Sequence, residues 1–240
     1  MGAYRNIKYG APALVLLAVV CALAGWLFLS PQTPETIETA GTPLSGKVIV
    51  VDAGHGGYDS GAVGTETGVL EKDLNLSVAI KLRDLLVQGG ASVLMTRDSD
   101  IALCPDGTPE GKKKTTDMAL RAGIISEADA DVVLSIHMNK FTLRRYYGAQ
   151  VFYSQEDDTG QGAALAKTIQ DAMREGLDPN NTRREKSGDY YILRMRPASV
   201  LVECGFLSNK AEEALLCDQA YQEKIAWSIY AGLLDYYRQR

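Results

Sequence analysis

The chain has 240 residues, 46% of them hydrophobic, with a formal net charge of −5 and only two histidines. This acidic balance gives no support to a nucleic-acid partner. The four cysteines lack CxxC spacing, which argues against a four-thiolate metal site.

Residues 11–29, "APALVLLAVVCALAGWLFL", carry no charge and follow Arg5 and Lys8. Such a run can cross a bilayer, with the basic flank kept cytoplasmic and everything after it exported. A cleaved signal peptide is the alternative, because Ala22-Leu23-Ala24 is a suitable cleavage site. The apolar continuation through Leu29 favours an uncleaved anchor. Cys21 follows two valines rather than small residues, so it reads as an ordinary membrane-segment cysteine and not as a lipidation site. Residues 1–30 are therefore expected to form an anchor or signal. Residues 31–45, rich in Pro, Thr and Glu, read as a linker, and residues 46–240 as one domain. Three exported cysteines, Cys104, Cys204 and Cys217, cannot all pair within the chain and are expected mostly as buried thiols.

Four short apolar runs read as strands buried on both faces: 47–52 (KVIVVD), 91–96 (ASVLMT), 131–136 (DVVLSI) and 199–203 (SVLVE). AQVFYS (149–154) and DYYIL (189–193) are weaker strand candidates. Helical spacing joins Leu74, Val78, Leu82 and Leu85, with Gly89-Gly90 as the stop. Met118, Ala122 and Ile125 form a second helical face, and Leu165, Ile169 and Met173 a third. Tyr221, Ile225, Ile229 and Leu233 form the last, with Asp218 as candidate N-cap. The basic runs KKK (112–114), Arg144-Arg145 and Arg183-Arg184 read as solvated loops. Alternating strands and helices predict an α/β fold: a mostly parallel, roughly six-stranded sheet with helices on both faces. In such sheets ligands bind beyond the carboxyl ends of the strands.

Chemistry-bearing residues gather at those ends. Asp52 and His55 follow the first strand, Arg97 the second and His137 the third, while Glu203 ends the fourth. Both histidines of the chain fall at one edge, which points to a shared site. The glycines around His55 do not complete a nucleotide motif. Asp59 stands where a dinucleotide fingerprint needs its third glycine, and Ala62 where a phosphate loop needs lysine. They read instead as letting the backbone turn sharply. Two imidazoles and one carboxylate suit a catalytic zinc, whose open fourth position takes a water that the metal acidifies. Asp59, Glu66 and Glu71 are the carboxylate candidates, Glu71 being the one held in a first helical turn. A carboxylate outside the metal shell must then move protons between water and leaving amine, and Glu203 suits that role. Asp52 is expected to support a ligand from behind. Arg97 and Arg194 are candidate partners for substrate carboxylates, and Asn139 could orient a ligand.

The stretches VIVVDAGHGGYDSGAVG, LEKDLNLSVAIKLRDLL, TRDSD, ADVVLSIHMN, GAQVFY and SVLVECGFLSN together resemble the zinc-dependent N-acetylmuramoyl-L-alanine amidases of bacterial cell walls. That resemblance implies zinc held by His55, Glu71 and His137, with Glu203 as catalytic acid/base. The implied reaction is hydrolysis of the amide between the lactyl group of N-acetylmuramic acid and the L-alanine of the peptidoglycan stem peptide. The anchor-like N-terminus and NTRREKSGDYYILR are most similar to the spore-cortex branch. There the amidase acts ahead of a deacetylase in forming muramic-δ-lactam, and some members need a lipoprotein partner to hold zinc well. A vegetative-wall amidase, a cysteine hydrolase using Cys204 with His137, and a peptidoglycan-binding module without catalysis are the competing readings. GTPEGKKKTT (107–116) has no close match in the family pattern, and Cys204 departs from it.

Overall fold

A computed structural model describes residues 42–196 and 198–240. The segment read as a membrane anchor or signal, and most of the linker, lie outside the described residues. Among the described residues no helix is long and apolar enough to cross a membrane. The elements in chain order are β1 (Val48–Ala53), α1 (Glu71–Gln88), β2 (Ser92–Met95), α2 (Glu110–Glu127), β3 (Val132–Asn139) and β4 (Gln150–Ser154). They continue with α3 (Gln161–Leu177), β5 (Lys186–Gly188), a 3₁₀ turn (Tyr191–Arg194), β6 (Ser199–Phe206), α4 (Lys210–Leu216) and α5 (Gln219–Arg238). The six strands form one mixed sheet of order β2-β1-β3-β6-β4-β5. Only the β4–β6 pairing is antiparallel.

Alternation along the strands sorts their side chains into two cores. Ile49, Val51, Leu134, Val200 and Val202 face one way and pack with Val78 and Leu82 of α1, Ile169 of α3 and Ile229 of α5. Val50, Val133 and Leu201 face the other way and meet Ile125 of α2 together with Ile192 and Leu193. The central strands are thus covered on both faces, which is why they read as unbroken apolar runs. Leu44, inside the stretch read as linker, is fully buried in the first core, and its N–H donates to Gly89 O. Asp218 caps α5 by accepting from Tyr221 N.

Three local expectations are corrected. β2 is an edge strand whose side chains alternate in exposure, with Leu94 42% exposed, rather than a strand buried on both faces. DYYIL is not a strand: it is a 3₁₀ turn closed by Leu193 N donating to Tyr190 O. The turn sends Ile192 and Leu193, neighbours in sequence, into one core, which strand alternation would not do. The lysines at 112–114 lie in the first turns of α2 and not in a loop.

Candidate active site

β1 and β3 run parallel, with Asp52 opposite Ser135 and Ala53 opposite Ile136. β3 and β6 also run parallel, with His137 opposite Glu203. The loop after β1 therefore folds over the carboxyl end of β3. Gly54 crosses directly above the His137 imidazole: a Cβ there would lie 2.2 Å from Cε1. His55 itself adopts φ 62°, a left-handed conformation uncommon for a residue with a side chain. That backbone turn brings the His55 ring to the His137 ring, with centroids 5.0 Å apart and planes nearly perpendicular.

Glu71, at the start of α1, meets both rings. Its Oε1 lies 3.2 Å from His55 Nε2 and 2.9 Å from His137 Nδ1. One nitrogen from each ring and a carboxylate oxygen thus lie within 4.8 Å of one another. Several polar atoms around this cluster are tied down. His55 Nδ1 meets Asp59 Oδ2 at 2.9 Å, and Glu71 Oε2 accepts from Ala62 N at 2.7 Å. Asn75 bridges Gly54 O and Glu71 Oε1. The donor set fits a divalent metal of the zinc class: two imidazoles and a carboxylate converge, and His55 Nδ1 and Glu71 Oε2 already have partners.

Without a metal, burial and hydrogen bonding set the two glutamates of the site apart. Burial opposes the Glu71 charge, but the hydrogen bonds from His137 and His55 outweigh it and hold the carboxyl far below its ordinary range. Burial likewise opposes charge on His55, yet Glu71 and Asp59 raise its pKa. Glu203 shows the opposite behaviour. Burial dominates and pushes its carboxyl up to about 7, and its Oε2 is buried without a hydrogen-bond partner. Glu203, His55 and His137 line one cavity of about 290 Å³, together with Tyr58, Tyr190, Tyr191 and Ile192.

The other residues singled out in the sequence have different surroundings. Asp59, weighed as a ligand, orients His55 instead, and Glu66 pairs with Arg144 at the surface. Asp52 is buried and makes no hydrogen bond to either imidazole. It accepts from Thr96, Ser135 and Arg121, and Arg121 in turn donates to Ala53 O and His55 O. Its support of His55 thus runs through the backbone, by way of Arg121. Burial would raise the Asp52 carboxyl, but Arg121 prevails and lowers it. Arg97 is only 2% exposed, and its guanidinium donates to Ala53 O, Gly54 O, Lys72 O and Ser99 O. It is a buried structural cation, each of whose three nitrogens donates to backbone carbonyls. Arg194 ends the 3₁₀ turn rather than a strand and pairs with Asp189 and Glu156. Asn139 lies beside Phe141, Tyr146, Arg183 and Phe206 in a separate depression. Arg183 is no freely solvated loop residue: it stacks 4.6 Å above Phe206 and donates to Tyr147 O.

Arg121 escaped sequence reasoning, although its pairing with Asp117 one helical turn earlier is a readable signal. Cys204 sits on the opposite face of β6 from Glu203, inside the first core, and burial raises its thiol well above the ordinary range. That placement removes it as a nucleophile paired with His137.

Comparison with known proteins gives the fold and site a family. The Amidase_3 family, N-acetylmuramoyl-L-alanine amidase, matches residues 49–235. The germination-specific N-acetylmuramoyl-L-alanine amidase of Bacillus subtilis is 42% identical over 201 residues, 82% of this chain and 83% of that protein. The CwlD amidase of Clostridioides difficile, solved in complex with the GerS lipoprotein, superposes with a TM-score of 0.78 at 41% identity, covering 81% of this chain and 100% of that one. The amidase AmiC2 of Nostoc punctiforme has a TM-score of 0.68 at 30% identity, over 82% of this chain and 99% of its own. The substrate of such enzymes, peptidoglycan, lies outside the cytoplasmic membrane. This chain belongs to the N-acetylmuramoyl-L-alanine amidase family, and its activity is hydrolysis of the amide that joins the stem peptide to N-acetylmuramic acid.

Proposed function

We propose that this chain is a zinc amidase of spore-cortex peptidoglycan, held at the outer face of the membrane by its N-terminal segment. The observation that carries the chemistry is the convergence of His55 Nε2, His137 Nδ1 and Glu71 Oε1 beside the unpartnered Glu203 carboxylate. His55, Glu71 and His137 would hold the zinc, with Asp59 and Asn75 fixing the orientations of His55 and Glu71. Zinc held there would acidify a water and polarise the scissile carbonyl. Glu203 takes a proton from the attacking water and delivers it to the departing alanine nitrogen. In the metal-free protein burial raises the Glu203 carboxyl above the ordinary carboxylate range, toward that of a general acid–base group. The tyrosine and isoleucine side chains of the cavity wall restrict water around the reacting amide.

The cortex assignment draws support from the germination-specific relative, and a lipoprotein partner from the complex formed by the CwlD amidase. In this reading a deacetylase acts on the stripped muramic acid to give muramic-δ-lactam. Mass spectrometry of cortex muropeptides from a strain lacking the gene tests it. Loss of muramic-δ-lactam is expected; an unchanged profile overturns the cortex role. Chelation of the purified protein should abolish stem-peptide release, and zinc should restore it.

A further inference from the structure

The two sides of the cavity differ in chemistry. Tyr190, Tyr191 and Ile192 form an apolar wall, whereas α2 contributes Lys114, Asp117 and Arg121 beside Met118. Arg121 is fully engaged: it pairs with Asp52 and Asp117 at 2.7 Å each and donates to two carbonyls. Lys114 is exposed and makes no ion pair or hydrogen bond among the described residues. The aspartates that line the cavity with it already have partners. Asp52 is held by Arg121, Thr96 and Ser135. Asp59 is held by His55 and Gly61, and Asp117 by Arg121 and Leu103 N.

Its neighbours on α2 are disposed differently. Lys113 pairs with Glu110 at 2.7 Å and lies over the Tyr58 ring. Lys112 is exposed and does not line the cavity. Lys114 is therefore the one lysine of this run whose ammonium can meet a bound molecule. An unpaired ammonium beside a cavity that accepts a peptide matches an anionic group of that peptide. The stem peptide carries such a group close to the scissile bond. Its second residue is a glutamate linked onward through its side chain, so its α-carboxylate is free unless it is amidated.

We propose that Lys114 is a specificity-determining residue that binds the free α-carboxylate of the second stem-peptide residue. The proposal rests on reading this cavity as the amidase site. Two muramoyl peptides test it, differing only in whether that residue bears a carboxylate or a carboxamide, each cleaved by the full-length zinc-loaded protein. The wild type should favour the carboxylate. Lys114→Met should raise KM for the carboxylate substrate about fivefold, as for loss of an accessible ion pair, and leave the carboxamide substrate unchanged. Lys114→Arg should keep the preference, and Lys112→Ala should match wild type on both substrates. Equal losses on both substrates in Lys114→Met, or no loss on either, overturn the proposal. A wild-type protein that cleaves neither substrate overturns the reading of the cavity itself.

Discussion

Glu71 and Glu203 flank the same imidazole and are held in opposite ways. Glu71 lies at the start of a helix, and both of its oxygens accept hydrogen bonds, from two rings, two backbone amides and Asn75. Glu203 sits across from His137 on the neighbouring strand, and its Oε2 accepts nothing. The first environment keeps a carboxylate ionised and immobile, which suits a metal ligand. The second raises the energy of the ionised form until proton gain and loss nearly balance at neutral pH, which suits a proton carrier. Two residues of one type, close in space, are thereby assigned different chemistry by their surroundings alone.

The strongest way to break this contrast is to neutralise each glutamate in turn. Glu203→Gln should lower kcat by roughly a thousandfold, the scale of a lost general acid–base group, and still bind one zinc per chain. Glu71→Gln should lose turnover together with the metal. Stem-peptide release and zinc content, measured on the same samples, separate the two. An active Glu203→Gln enzyme would remove Glu203 from the mechanism.

Much of this was legible because the central strands are buried on both faces. The apolar runs at 48–51 and 132–134 had one plausible use, and parallel strands carry their end residues to a common edge. The polar residues just past each run therefore marked the site. The features that stayed hidden depended on contacts between loops distant in sequence. Arg97 also comes directly after a strand, but the loop after β1 passes so close that its guanidinium is used up on carbonyls. A Cβ on Gly56 would fall 2.9 Å from that side chain. No local pattern announces such an approach. Asp59 and Glu71 were both acidic residues downstream of His55. The left-handed turn at His55 decides which of them meets Nδ1 and which meets Nε2. The weak apolar run at 189–193 failed for a simpler reason, since four or five residues cannot distinguish a strand from a single 3₁₀ turn.

A smaller effect sharpens the Glu71 side of the comparison. Asp59 touches His55 Nδ1 and not the ligand-bearing edge of the cluster, so it sets ring orientation and basicity. Asp59→Asn should weaken zinc binding by about 10- to 100-fold, the usual cost of losing such a support. At saturating zinc most of the turnover should return. Competition with a chromophoric chelator reads the affinity directly, and an unchanged affinity would mean that the ring is positioned by the His55 backbone and Gly61 alone.

The subtlest test concerns Glu203 in the metal-free protein. Burial raises its pKa from 4.5 to about 7, so the folded state favours the protonated form. The stability this contributes is fully present below about 4.5 and is lost as pH rises through about 7. Glutamine occupies nearly the same volume and stays neutral throughout. Glu203→Gln should therefore match wild type in unfolding free energy near pH 4. By pH 8 it should exceed wild type by about 3 kcal/mol. Urea unfolding of both proteins with zinc removed, at a series of pH values, measures this difference. The metal stays out because an added dication would stabilise the ionised carboxylate and flatten the curve. A difference that is constant with pH would show that Glu203 titrates like a solvated glutamate, and the contrast with Glu71 would then rest on hydrogen bonding alone.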